Sequence, residues 1–237
     1  MRASRTRKLI CYTRAAFFGP ITNNDMPSAF AENAQLAVRQ LHLWRGEKHL
    51  LKGVSFDLQA GQLLRVMGPN GVGKTSLLRC VTGLLPIESG EIEWRGRANR
   101  EAFEILHTEL AYLAHLNALK NDLSAFENLR FAVGLKRRID PHEIVGTLER
   151  LQIGHCSALA VRALSAGQKR RVSLARVLLS KATLWILDEP VTNLDTAGIR
   201  LMEECMGEHL HSGGMIIAAA HQPLLDAHAR SATLELS

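Results

Sequence analysis

Gly68-Pro69-Asn70-Gly71-Val72-Gly73-Lys74-Thr75 is the stretch from which the rest of this chain is read. It has the spacing G-x-x-x-x-G-K-T, with the apolar run Leu63 to Met67 before it and the helix-forming run Ser76 to Val81 after it. Strand, glycine-rich turn and helix in that order make a phosphate-binding loop. The glycines let successive N–H groups turn toward one anion, and the helix start adds its partial positive charge. Lys74 would reach the β- and γ-phosphates of a nucleoside triphosphate, and the Thr75 hydroxyl would hold a magnesium ion bridging them. A plain turn between strand and helix needs no lysine and hydroxyl directly after its last glycine. The candidate nucleotide contacts are therefore Gly68, Pro69, Asn70, Gly71, Val72, Gly73, Lys74, Thr75 and Ser76.

Two carboxylates join them from far along the chain. Thr183 to Pro190, TLWILDEP, reads as a buried parallel strand ending in Asp188 and Glu189. Asp188 is placed for the magnesium shell and Glu189 to polarise an attacking water as general base. Such a pair is weak evidence alone and gains weight from the phosphate loop, because sites in parallel sheets collect at the carboxyl ends of strands. A further strand, Met215 to Ala220, ends at His221, where a sensor of the γ-phosphate is needed. Between loop and carboxylates, Leu164-Ser165-Ala166-Gly167-Gln168 runs into the amphipathic Val172 to Leu179. The Ser165 hydroxyl and Gly167 N–H can point at phosphate oxygens. By itself, that stretch reads as a capped helix whose first turn, Lys169-Arg170-Arg171, is basic and solvated. Thr192-Asn193-Leu194-Asp195 then leads into a helix through Leu210.

The 237 residues suffice for one large α/β domain, or one with an inserted subdomain, and 46% hydrophobic against 22% charged content allows a sizeable core. Net charge is +6, but Met1 to Asp25 hold Arg2, Arg5, Arg7, Lys8 and Arg14 against Asp25 alone, leaving +2 for the remainder. The body is thus nearly balanced and carries no domain-wide footprint for nucleic acid. Residues 1–33 read as a separate basic segment, either a disordered tail or residues ahead of a start at Met26, with a membrane-surface anchor as the less favoured reading; Arg14 interrupts what would otherwise be a signal-peptide core. Cys11, Cys80, Cys156 and Cys205 form no C-x-x-C pair and read as free thiols in a reducing compartment. No apolar run approaches the roughly 20 residues that span a bilayer. Strands are expected at Gln35 to Leu43, Val54 to Leu58 and Glu91 to Trp94, with Trp44 a candidate for stacking on adenine. Residues 106–164 read as an inserted helical subdomain, including Phe126 to Leu135 and a helix from Pro141 to Leu151 opened by the cap Asp140.

The ordered set of phosphate loop, LSAGQ, LWILDEP, TNLD and a histidine after MIIAAA resembles the nucleotide-binding subunits of ABC transporters over roughly residues 35–237. The resemblance implies a P-loop NTPase of the ABC ATPase type at residues 34–237, with a mixed sheet core, an antiparallel β edge and the helical insertion. It implies ATP and Mg2+ as cofactors and a head-to-tail homodimer bound to integral membrane subunits at the cytoplasmic face of the inner membrane. Lys74, Glu189 and His221 would be catalytic, Thr75 and Asp188 would hold the metal, and Ser165, Gly167 and Gln168 would reach the other subunit's ATP, with Asp195 coupling the two sites. LSAGQKRRVSLAR, with alanine where most of the family has glycine, together with YLAHLNALKNDLSAFENLRF and GGMIIAAAHQPL, is most similar to the ATP-binding subunits of the haem exporter complexes of cytochrome c maturation. That likeness implies an ATPase energising haem export or delivery. No residue pattern reads as a direct haem site, and His155-Cys156 reads as a surface pair.

Two positions depart from the resemblance. Leu116 stands where the family has a metal-sensing glutamine, and leucine neither ligates a metal nor accepts a hydrogen bond. Either His115 or Asn117 takes part of that role, or coupling is weaker, and Leu116→Gln is expected to raise basal ATP turnover. Arg45 stands where many relatives place an aromatic residue against adenine, leaving Trp44, the arginine plane, or nothing specific for that contact. Alternatives to the haem exporter reading are a subunit serving an unrelated solute and a soluble ABC-type protein acting on ribosomes or DNA. The second commonly has two cassettes or a coiled coil, and this chain has one cassette and no heptad run.

Overall fold

The computed structural model describes residues 20–21, 35–220, 224–225 and 230–237. Six parallel strands make the central sheet, in the order β1 (Pro20–Ile21), β10 (Ser231–Glu235), β4 (Leu63–Met67), β9 (Met215–Ala219), β8 (Leu184–Asp188) and β7 (Leu110–Leu113). Every residue of β8 and β9 is buried, as expected of parallel strands covered on both faces.

Side chains alternate across the sheet and build two cores. Leu184 and Ile186 pack with Leu77, Leu78 and Val81 of α1 (Lys74–Val81), whereas Trp185 and Leu187 pack with Val172, Ala175 and Met202 on the opposite face. Those last belong to α5 (Ala166–Ser180) and α6 (Thr196–His211). Asp188 shares the parity of Leu184 and Ile186, so the pleat turns its carboxylate toward α1.

The antiparallel β edge forms a sheet of its own, ordered β3 (Lys48–Leu58), β2 (Leu36–Arg45), β5 (Ser89–Trp94) and β6 (Arg97–Ala98). β2 does not alternate simply: Leu36 and Val38 are buried, then Leu41 and Leu43, because the register shifts after Val38 around Gln40, whose φ is 45°. One extra residue at a bulge reverses the parity and so keeps both halves of the strand facing the core. β3 starts at Lys48, earlier than its own alternation suggests, because its first residues pair with Arg45 and Trp44.

Residues 106–164 are not helical throughout. Helix α2 (Asn99–Glu109) leads into β7, whose residues pair with β8 in the central sheet. The helices α3 (Ala125–Gly134) and α4 (Pro141–Arg150) follow, opened by side-chain caps from Ser124 and Asp140. In the amino-terminal segment read as unstructured, Pro20–Ile21 pair with Thr233 and Leu234; the remaining residues up to 34 lie outside the described ones, Cys11 and Met26 among them.

Candidate functional site

β4 delivers the chain to the phosphate loop at Met67, and α1 takes it away at Lys74. Gly68, Gly71 and Gly73 have φ of 140°, 78° and 117°, a left-handed backbone that glycine adopts without steric cost. At Gly68 space demands glycine as well: an added Cβ would lie 2.5 Å from the Leu236 carbonyl oxygen. The loop rims a cavity of about 540 Å³ lined by Asn70, Gly71, Gly73, Lys74, Thr75 and Ser76, joined by His115, Glu189 and the hairpin residues Arg45, Lys48 and Leu50. Gly68, Pro69 and Val72 do not line it. Val72 packs into the core, while Gly68 and Pro69 offer carbonyls that accept from Lys74 Nζ at 2.7 and 3.2 Å.

Asp188, 1% exposed, lies behind the cavity where its strand parity directs it, and Thr75 Oγ1 donates to its Oδ1 at 3.1 Å. Its Oδ2 is buried with no hydrogen-bond partner among the described residues. Burial, and then the charge of Asp188, push the Tyr112 hydroxyl above its usual pKa. Glu189 leaves the strand at φ 50°, its N–H donating to the Ala219 carbonyl at 2.8 Å. Non-glycine residues rarely occupy that region and are held there by their surroundings.

The LSAGQ stretch builds a second cavity, about 380 Å³, lined by Ser165, Gly167, Gln168, Asp195, Arg171, Asn193, His155, Gln152 and Ile153. It shares no lining residue with the first. Ser165 Oγ accepts from the Gln168 N–H at 3.2 Å while Gln168 Oε1 accepts from the Ser165 N–H at 2.8 Å, a reciprocal cap on α5. Asp195 caps α6 by accepting from the Gly198 N–H, and it also accepts from Arg171 Nη2, each at 2.9 Å. The Gly198 bond first, and Arg171 second, hold its carboxyl below the usual range. His221 lies outside the described residues.

Several side chains differ from the sequence reading. The Trp44 ring is stacked on His49, with centroids 4.1 Å apart, and stays outside the cavity that Arg45 enters. Leu116 is 77% exposed and His115 takes its place in the lining, while Asn117 accepts from a buried arginine. His155 is exposed but Cys156 is fully buried, so they are not a surface pair. Burial pushes the Cys80 thiol up to about 12, and those of Cys156 and Cys205 upward, which keeps all three protonated. The largest correction is Arg170, read as solvated and only 2% exposed. Its spacing to the buried Ser173, Leu174 and Val177 is that of one helical face, the signal that could have revealed it.

Residues 51–192 match the ABC transporter family. The chain belongs to that family. Among its relatives is a protein of Nitrosococcus oceani named cytochrome c biogenesis ATP-binding export protein CcmA, 43% identical over 86% of this chain and 92% of its own length. CcmA 2 of Cupriavidus metallidurans, with the same description, is 41% identical over 86% of this chain and 96% of its own. Among solved structures, an ATP-binding ABC transporter protein from Pyrococcus furiosus superposes with a TM-score of 0.73 at 25% identity, covering 84% of this chain and 96% of its own. The family binds nucleotide and works in transporter complexes, and no helix among the described residues is long and apolar enough to cross a membrane.

Proposed function

We propose that this chain is the ATP-hydrolysing subunit of a membrane transporter complex in c-type cytochrome biogenesis, energising haem export or delivery from the cytoplasmic face of the membrane. The observation that carries the hydrolytic reading is the meeting of Asn70, Gly71 and Gly73 to Ser76 with Glu189 around one cavity, from segments far apart in sequence. The pathway rests on relatives named as cytochrome c biogenesis export proteins.

ATP enters with its phosphates against the first turn of α1, where loop N–H groups and the helix dipole favour anions. Lys74 exchanges the carbonyls of Gly68 and Pro69 for β- and γ-phosphate oxygens; those carbonyl bonds hold it ready at the loop. Thr75 and Asp188 would hold Mg2+, a fit supported by their mutual contact and by the lone buried Oδ2, since this ion takes oxygen donors and few carboxylates. Bound there, the ion supplies charge neutralisation on the phosphates. Glu189 accepts the proton of the attacking water, and His221 contacts the γ-phosphate. The α5 start acts on a second copy's nucleotide: Ser165 and Gly167 reach its phosphates, Gln168 holds the cap, and Asp195 couples the two sites. Membrane subunits supply the transport path.

The test is Glu189→Gln as a cell's only copy, with the purified variant assayed in parallel. Phosphate release should fall by about 10²- to 10⁴-fold with nucleotide binding kept. Covalently attached haem on membrane cytochromes should disappear on denaturing gels while apocytochromes are still made and exported. Unchanged release would sink the hydrolytic role. Lost release with normal haem staining would assign the ATPase to a transporter for another solute.

A further inference from the structure

We propose that Arg170 is a positioning residue for hydrolysis, its guanidinium locking the backbone of Glu189 to the loop at residues 114–117 so that the base and the loop move as one piece. The proposal rests on the reading of Glu189 as the base.

All five N–H groups of this buried side chain have acceptors. Nη2 donates to the Asp188 carbonyl at 2.8 Å and to the Glu189 carbonyl at 2.6 Å, and Nε donates to the Pro190 carbonyl at 3.1 Å. The other nitrogen, Nη1, donates to the Ala114 carbonyl at 2.7 Å and to Asn117 Oδ1 at 3.4 Å. One turn along α5, Ser173 Oγ lies 3.1 Å from the carbonyls of both Asn117 and Lys169, its single O–H shared between this loop and its own helix. The planar fork therefore spans two segments that each put a neighbouring side chain into the nucleotide cavity, His115 from the loop and Glu189 from the strand end.

Three features separate this from general scaffolding. The carbonyls of residues 188 and 189 flank the φ of 50° at Glu189, a backbone that relaxes unless pinned. Leu116 is exposed and cannot bond to the site through its own side chain; past the end of the β7–β8 pairing at Leu113, Arg170 gives this loop a polar tie to the catalytic strand. The arginine also stands on α5, which is capped by Ser165 and carries Gly167 in its first turn, so one helix links the phosphate-loop cavity to the LSAGQ cavity. Burial lowers the guanidinium to about 10, with the charges of Asp188 and then Glu189 acting against that, so it stays charged at neutral pH.

The test uses the full chain with Arg170→Lys and Arg170→Gln, measuring mant-ATP affinity and steady-state phosphate release. A lysine presents its donors from one point and cannot bridge both segments. We expect kcat to fall about tenfold in Arg170→Lys and about a hundredfold in Arg170→Gln, with nucleotide Kd within about threefold of wild type, as for misplacement of a reacting group. In a Glu189→Gln background, adding Arg170→Lys should change the residual single-turnover rate by less than about twofold, since both act through one group. Wild-type kcat in a folded variant, a Kd that rises in step with the loss of kcat, or the same fold loss in both backgrounds would each overturn the proposal. Should Arg170→Gln not fold, Arg170→Lys decides, and failure of both to fold assigns the arginine to the fold alone. Wild-type release no higher than that of Lys74→Ala would remove the hydrolytic reading together with this one; normal wild-type release with an unaffected Arg170→Lys would remove this one only.

Discussion

The cavity at the phosphate loop and the cavity at the start of α5 are both built at a helix start, yet they carry different groups. The phosphate loop brings a nearly buried lysine, a hydroxyl, a buried carboxylate and a second carboxylate on strained backbone to one place. The start of α5 offers a capped N-terminus, Arg171 and the capping carboxylate Asp195, and its polar groups are largely engaged with one another. In the function proposed above, the first would hold and hydrolyse a nucleotide and the second would present its helix start to a nucleotide held by another copy. They share no lining residue, and the dimer proposed above would complete one site from both.

The largest effect tests that division directly. Lys74→Ala should cut phosphate release by about 10²- to 10³-fold and weaken nucleotide binding by the single chain, while Ser165→Ala should cut release but leave single-chain binding unchanged. An equal mixture of the two variants should regain part of the wild-type release, because one interface of each mixed dimer pairs an intact Lys74 with an intact Ser165. No recovery on mixing would break the comparison.

Glycine substitutions should separate the cavities on stability. Gly68→Ala puts a side chain on left-handed backbone and against the Leu236 carbonyl, so it should cost on the order of 1–3 kcal/mol in denaturant unfolding. Gly167 lies within α5, where an added Cβ gains helix propensity but meets the Asn193 carbonyl at a tight 3.0 Å, so Gly167→Ala should cost less than Gly68→Ala. Equal losses would mean that the α5 start is as tightly specified as the loop.

The smallest effect is a pH dependence on the second cavity. The folded pKa of Asp195 is depressed, so its contribution is present above the unfolded value and is lost as pH falls through the folded one. Asp195→Asn should therefore lower the melting temperature slightly at neutral pH, with the gap to wild type closing as pH drops below the ordinary carboxylate range. A gap that does not change with pH would show that the cap acts through geometry, not charge.

The phosphate loop, the strand ending in Asp188, and the helices capped by Ser124, Asp140, Ser165 and Asp195 could be read from the chain because each is specified within a few neighbouring residues. β7 was hidden inside a helical-looking block because four apolar residues carry no period of their own, and its identity comes from pairing with β8. Trp44 was a reasonable aromatic for adenine until His49, across the hairpin, took its face.

By itself the sequence determined the nucleotide chemistry, since glycines, lysine, hydroxyl and carboxylates in that order have local reasons to stand where they do. Tertiary structure decided how those groups are aimed. The pleat of β8 turns Asp188 toward Thr75, the bulge in β2 restores its buried face, and Arg170 is buried because carbonyls from two distant segments close around it. Each of these depends on which remote backbone lies opposite, and no local pattern encodes that partner.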